Sequence, residues 1–474
     1  MSFISLTFVI FLILVVPLYY IVPFQYRWIF LLIISYIFYS FARLDFFIYL
    51  AFVTISTFCI ALYIEKLNRH EKSQKLKKFW LALALILNLG IIIFFKFSNF
   101  VVTNFNYDSN LIPNINFLIL PLGLSFYTFQ ALSYVIDVYK KKIKAETNIA
   151  KYALFISFFP QFIMGPISRY QELNHQFYQR YIFDKNRFVY GIQRIILGFF
   201  KKIVVADRLA IFIEHNYLYY NDCSGFVLLI TTLLYSFQVY ADFSSYMDIA
   251  VGVANCLGID IQENFKSPFF SKSMKEFWTR WHITLGTWFR DYVYIPLGGS
   301  RVNKFRHIFN IIFVWFFVGL WHGFTLNFIA FGLAHGIIII ITIYLGRYIS
   351  SKYKFNSKIF DIINMFMVFF IFSIFNIFPR IPNIYDGLKI IKKIFTDMSC
   401  NGMFAGLTTN FFDISEWIVS VLSIIFLLII DYLYLKNKLR NISIKSRLLL
   451  AYFLLVCILI FGKFGNTTFI YFEF

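Results

Sequence analysis

Apolar residues in this chain come in long runs rather than in the alternating pattern of a half-buried strand or the one-faced stripe of a soluble helix. Such runs lie near 3–23, 28–43, 46–64, 79–101, 117–139, 188–212, 225–241, 308–322, 324–345, 359–378, 417–435 and 448–462. Most approach or exceed the roughly 20 residues that a helix needs to cross a hydrocarbon core. Lipid offers no water to backbone N–H and C=O groups, so each spanning run is expected to be a helix. The pattern predicts an all-α polytopic membrane protein, read as a single membrane-embedded domain over 1–474 with roughly 11–13 transmembrane helices. Phe3–Pro23 has no basic stretch before it and no small-residue cleavage site after it, and is expected to be a retained first helix.

The polar gaps orient the spans. Glu65–Lys78 holds six basic residues, Lys140–Lys151 five, Arg347–Lys358 four and Lys436–Arg447 five, and these are expected to face the cytoplasm. Thr103–Asn116 and Cys400–Glu416 hold no Lys or Arg and are expected outside, which places both termini outside. Arg380–Lys393 dissents with four basic residues, but Ile384, Leu388, Ile391, Ile394 and Phe395 fit an amphipathic helix on the outer interface.

Composition agrees with the pattern: 60% of residues are hydrophobic, 22% aromatic and 14% charged, where a soluble domain carries about 25% charged residues. The net charge of +20 would point to nucleic acid in a soluble chain. Here the cations sit between apolar runs, where membrane topology and anionic lipid place them, so no nucleic-acid partner is expected. Cys59, Cys223, Cys256, Cys400 and Cys457 show no ligand spacing and read as core residues, neither a disulfide frame nor a metal site. No internal repeat is visible, which counts against a repeat-built transporter.

The centre of the chain, 152–335, breaks the pattern. Tyr152–Ile167 is apolar but short, and 242–300 mixes charge, Trp, Gly and Pro. Irregular backbone at membrane depth is tolerated only where protein or a water-filled cavity surrounds it, so a bundle with short re-entrant helices around a site is expected. Polar residues gather in Tyr235–Gly252, with Gln238, Asp242, Ser244, Ser245 and Asp248. They gather again in Asn264–Arg301, where Arg280, Trp281, His282, Arg290 and Asp291 stand close together, and in Val318–Gly323 with His322.

Ionisable groups within a membrane are costly and are functional candidates by default. From the Arg306–His307 pair to His322, the helical rise covers only about 21 Å of a core about 30 Å thick. His322 is therefore expected inside the membrane, as a general acid/base or as a core histidine bonded to a neighbouring helix. His282 reads as a second catalytic group or as part of an interfacial Trp-Arg-His anchor. The two histidines are 40 positions apart, which is not metal-ligand spacing, and no metal is expected. Arg169 and Arg290–Asp291 could bind donor phosphates, or could lock helices through salt bridges, the latter preferred for Asp291. The ending FIYFEF reads as an aromatic belt or as a mobile end whose Tyr471 phenol acts as a nucleophile.

At Phe159–Arg169 (FPQFIMGPISR), Tyr235–Gly252 and Phe277–Arg301 the sequence resembles the membrane-bound O-acyltransferase family, in its bacterial polysaccharide O-acetyltransferase branch. The resemblance implies a helical bundle around a central tunnel that admits a thioester donor from the cytoplasm and opens outward toward the acceptor. It implies His322 as catalytic histidine and His282 as the second. Trp281, Arg290, Asp291, Gln238, Asp242 and Arg169 are implied to line the tunnel or bind the donor. FIYFEF resembles a motif of extracellular O-acylation systems, which makes Tyr471 an acyl relay in an acyl-carrier tail over 463–474. Ser245 and Met247 depart from the commonest family pattern of Gly and Ser, which bears on tunnel shape and partner choice.

The reading that follows is a multi-pass inner-membrane acetyltransferase acting on a cell-envelope polysaccharide, peptidoglycan first and an alginate-like polymer next. Acetyl-CoA is the implied donor, with no tightly bound cofactor. Membrane lipid and a periplasmic partner with a serine nucleophile are the implied partners. A polysaccharide exporter or flippase, a structural membrane scaffold, and a family member that acylates lipid or protein are the alternatives.

Overall fold

The computed structural model describes residues 1–70, 73–104, 120–352, 358–397, 399, 407–408, 412–439, 442–465 and 469. Among them the regular elements are helices. Eight are long and apolar enough to cross a membrane: Phe46–Arg69, Gln74–Ser98, Gly225–Cys256, Lys304–His322, Leu326–Gly346, Lys358–Arg380, Ile414–Leu435 and Ile444–Phe461. The other expected runs hold shorter helices: Leu6–Ile21, Arg27–Ser40, Leu124–Tyr139 and Lys185–Phe200. The 188–212 run is not one regular helix, because a π-helical turn, Lys201–Ala206, interrupts it. Polar N-caps start several spans: the side chains of Asn303, Asp413 and Ser443 accept from the N–H groups of Arg306, Glu416 and Ser446.

Two compact units divide the chain, Met1–Ile192 with Ile249–Gln262, and Gln193–Asp248 with Glu263–Phe474. In the first, polar groups on apolar helices satisfy one another. The Thr57 and Tyr152 hydroxyls meet at 2.8 Å, and Gln130 donates to the Phe155 carbonyl at 2.6 Å. In the second, a core of aliphatic and aromatic side chains runs from Leu197 through Trp281 and Phe372 to Ile458. Cys59, Cys223, Cys256 and Cys457 are free thiols.

Within the second unit, the Lys304–His322 and Leu326–Lys352 helices form a hairpin packed backbone against backbone. A methyl group on Gly332 would lie 2.3 Å from the Trp315 carbonyl oxygen, and one on Gly319 would lie 2.4 Å from that of Phe328. Small residues at such a contact let membrane helices approach closely. The expected amphipathic helix is present at Ile384–Thr396. It buries Gly387, Ile390 and Ile394, while Leu388 and Phe395 stay exposed. Hydrogen bonds from the Tyr220 hydroxyl and from Lys389 hold the Asp386 carboxyl below its ordinary pKa.

Candidate active site

Between Glu263 and Arg301 the second unit carries short elements instead of a span: Met274–Arg280, Ile283–Phe289 and a π-helical turn at Arg290–Tyr294. Trp281 and His282 form the corner between the first two. His282 adopts a left-handed backbone, φ +45°, a conformation that costs a residue with a side chain about 1–3 kcal/mol unless its surroundings impose it. Asn264 imposes it. Its carbonyl accepts from the Ile283 N–H at 3.1 Å, and its side-chain oxygen accepts from the Thr284 N–H at 2.9 Å and hydroxyl at 2.7 Å. The Lys266 N–H adds a bond to the Arg280 carbonyl at 3.0 Å.

The corner presents the His282 imidazole, 3% exposed, edge-on to Phe243 and Trp321, with ring centroids 4.9 and 5.8 Å away. His322 ends the Lys304–His322 helix and is half-buried. Its ring stands edge-on to Trp321 at 4.8 Å and lies parallel to Phe328 at 6.2 Å. The Trp321 indole is thus a ring neighbour of both imidazoles.

Both histidines line one cavity of about 510 Å³. Ile311, Val314, Trp315, Val318 and His322 line it from a single face of their helix, at spacings of three and four. The eleven residue steps from Ile311 to His322 make that wall about 16 Å long. The lining also carries polar groups, Lys275, Thr279, Thr287, Arg290 and Tyr294, the last of them near the start of that helix. There the Tyr294 and Tyr344 hydroxyls engage the two ring nitrogens of His307, at 2.8 and 2.9 Å. Trp281, Trp278 and Phe372 close the aromatic side. No carboxylate stands among the lining residues. Among the described residues, no group of three His, Cys, Asp or Glu side chains is placed to hold a metal ion.

The chain matches the membrane-bound O-acyltransferase family over residues 33–379. It belongs to that family. A protein named as a probable alginate O-acetylase in Azotobacter vinelandii is 39% identical over 336 residues, covering 69% of this chain and 65% of that protein. The peptidoglycan O-acetyltransferase of Helicobacter pylori is 38% identical over 292 residues, covering 55% and 54%. A teichoic acid D-alanyltransferase of Streptococcus thermophilus is 33% identical over 233 residues, covering 46% and 56%. The chain therefore spans a little under two thirds of the length of the alginate O-acetylase it matches.

In this O-acyltransferase family member the expected site residues separate into groups. His322, His282, Trp281 and Arg290 line the cavity together. Asp291 is not on the lining; its carboxylate accepts from the Arg290 guanidinium at 2.8 Å. Gln238, buried between Tyr235 and the Asp242 turn of one helix, is not on it either. Asp242 was expected at the tunnel and is placed elsewhere: it is 1% exposed and pairs with the Lys202 ammonium at 2.6 Å. Arg169 stands in the first unit, at the start of the short Tyr170–Leu173 helix. Tyr471 lies outside the described residues.

Sequence reasoning missed Asn264, an amide in an irregular segment with no periodic signal, and the Tyr294–His307–Tyr344 cluster. It also missed the cations that answer the acids of the Gly225–Cys256 helix. Lys202 bridges Asp242 and Asp207, at 2.6 and 2.8 Å. Asp248 takes Lys201 at 2.7 Å and Arg194 at 2.5 Å, and Arg194 also reaches Glu263 at 2.8 Å. Two adjacent lysines inside an apolar run, with Asp207 five and six residues further on, were the available signal.

Proposed function

We propose that the chain is a multi-pass inner-membrane O-acyltransferase that takes acetyl groups from cytoplasmic acetyl-CoA for O-acetylation of a cell-envelope polysaccharide. The observation that supports it best is the placement of His322 and His282 on one cavity whose lining also carries Lys275 and Arg290. Guanidinium and ammonium groups suit the phosphates of a nucleotide-borne thioester. A donor held there would extend its acyl end along the apolar wall toward His322. Acetyl-CoA is then a substrate, and no tightly bound cofactor is required.

In this reading the His322 imidazole takes the proton of the Tyr471 hydroxyl, and the phenolate oxygen attacks the thioester carbonyl. The carbon–sulfur bond breaks, the thiolate recovers the proton from the imidazolium, and coenzyme A leaves. The phenyl acetate that remains is an activated ester, because a phenol of pKa about 10 leaves more readily than a sugar alkoxide. A serine on a periplasmic partner attacks it, the acetyl passes to that serine, and the phenol regains its proton. The partner then esterifies a sugar hydroxyl. His282 sits close enough to the same wall to orient the carbonyl. The names of the relatives suggest peptidoglycan and alginate as the acceptors to assay side by side.

The test incubates purified protein in detergent with acetyl-CoA and seeks an acetyl adduct on the C-terminal peptide by mass spectrometry, beside His322→Ala and Tyr471→Phe. A Tyr471 adduct that needs His322 supports donor, base and relay together. Release of coenzyme A that needs His322 but leaves no adduct keeps the transferase and removes the relay. If His322→Ala changes neither signal, the transferase reading fails and an exporter or flippase replaces it. A long acyl chain on the donor that copurifies would instead indicate a lipid- or protein-acylating family member.

A further inference from the structure

On the side of the Gly225–Cys256 helix occupied by Asp242 and Asp248, the second unit holds a second built feature, a socket filled by the chain itself. Its floor is the π-helical turn Lys201–Ala206. The Lys202 ammonium, 2% exposed at the side chain, is neutralised by Asp242 and Asp207. The ring of Phe469 covers it, with the ammonium 4.8 Å from the ring centroid. Tyr246 meets the same ring edge-on at 5.5 Å, and Phe469 is 0% exposed.

A second clamp holds the chain six residues earlier. The Lys463 N–H donates to the Ile203 carbonyl of the π-helical turn at 3.0 Å, and the Lys463 ammonium pairs with Glu416 at 2.6 Å. Arg208 joins Glu416 to the Phe461 carbonyl. A turn of π-helix often marks a functional position, and here its carbonyl receives the segment that carries FIYFEF.

The socket adjoins the catalytic wall through one helix. Phe243 touches His282 at 4.9 Å, and Tyr246, one turn further along, touches Phe469 at 5.5 Å. Residues three apart on a helix are surface neighbours, about 5–6 Å between their Cβ atoms. Two residue steps lead from Phe469 to Tyr471, a tether of about 7 Å at full extension.

We propose that Phe469 is the positioning residue of the acyl relay: its ring, seated against Lys202 and Tyr246, anchors the chain to the helix whose Phe243 meets His282. This rests on the reading of Tyr471 as relay. Phe469 performs no chemistry; it shortens the search of the phenol for the donor carbonyl.

The test uses the full chain in detergent with acetyl-CoA, comparing the unsubstituted protein with Phe469→Ala and the volume-preserving Phe469→Leu. Two quantities are followed: the rate and donor dependence of acetyl labelling at Tyr471, and hydrogen exchange at the Lys463 amide. Phe469→Ala is expected to slow labelling at least tenfold while the donor concentration for half-maximal labelling stays within about twofold. It is expected to speed Lys463 exchange at least tenfold, and Phe469→Leu to restore a third or more of the labelling. Labelling or exchange unchanged in Phe469→Ala overturns the proposal. If the unsubstituted protein never labels Tyr471, the relay fails by itself. The exchange arm then decides the socket alone: release by Phe469→Ala upholds it, and equal exchange overturns it.

Discussion

One helix, Gly225–Cys256, serves two regions of opposite character. Through Tyr235 and Val239 it lines the cavity, where two imidazoles and a few polar groups stand among aromatic walls. Through Asp242 and Asp248 it enters an ionic cluster in which every carboxylate meets a cation within 2.8 Å. Both regions bury ionisable groups that cost free energy in an apolar setting. In the cluster that cost is offset by Coulomb attraction and hydrogen bonds, and the geometry is closed. The cavity instead leaves room beside its imidazoles for a substrate. Buried charge alone therefore does not mark chemistry; an ionisable group facing open space does.

The sharpest way to break this contrast is at Lys202. Lys202→Met keeps the apolar stem but strands Asp242 and Asp207 without their cation. Removing one partner of a buried ion pair costs about 3–5 kcal/mol, and thermal unfolding in detergent should show a loss of that order. If stability is unchanged, the cluster is not structural and its charges belong with the functional groups.

His322→Ala should do the reverse. Loss of a general acid/base lowers the rate by about 10²–10⁴, read as release of coenzyme A from acetyl-CoA in the presence of acceptor. The half-buried ring leaves the packing nearly intact, so stability should stay within about 1 kcal/mol. A variant that unfolds instead would make His322 a core histidine.

Asn264 stands between the two cases, since its bonds are structural and the corner they hold presents His282 to the cavity. Asn264→Ala leaves the buried Thr284 N–H without its acceptor, a loss of about 1–3 kcal/mol, and releases the left-handed corner at His282. Turnover should fall by about tenfold to a hundredfold, with the donor KM changed far less than kcat. Equal losses in the two parameters would assign Asn264 to folding only.

Much of this is legible in the chain, and unevenly so. Long apolar runs announce spans because the bilayer imposes length and helix formation together. His322 and His282 announced themselves because imidazoles among tryptophans are rare in lipid. For Asp242 the chain shows an acid in an apolar helix but not the Lys202 that pairs with it from 40 positions away. The 188–212 run hid its π-helical turn because hydropathy reports burial and not hydrogen-bond register. Asn264 left no trace, since its role lies in three hydrogen bonds to a corner that only the folded chain creates.

Gln238 gives the smallest expected effect and tests where the boundary between the two regions falls. It is 4% exposed, and its side-chain oxygen has no hydrogen-bond partner among the described residues. The family resemblance implies it at the tunnel or the donor, whereas the cavity lining passes from Tyr235 to Val239 without it. Gln238→Leu keeps the volume and removes a buried polar group whose oxygen is unsatisfied, so stability should hold or rise by up to about 1 kcal/mol. Turnover should remain within about threefold, because a side chain off the lining contributes little to transition-state binding. A loss beyond tenfold at unchanged stability would mean that the oxygen finds its partner on the bound donor. The candidate site would then extend along the helix to within one turn of the Asp242–Lys202 pair.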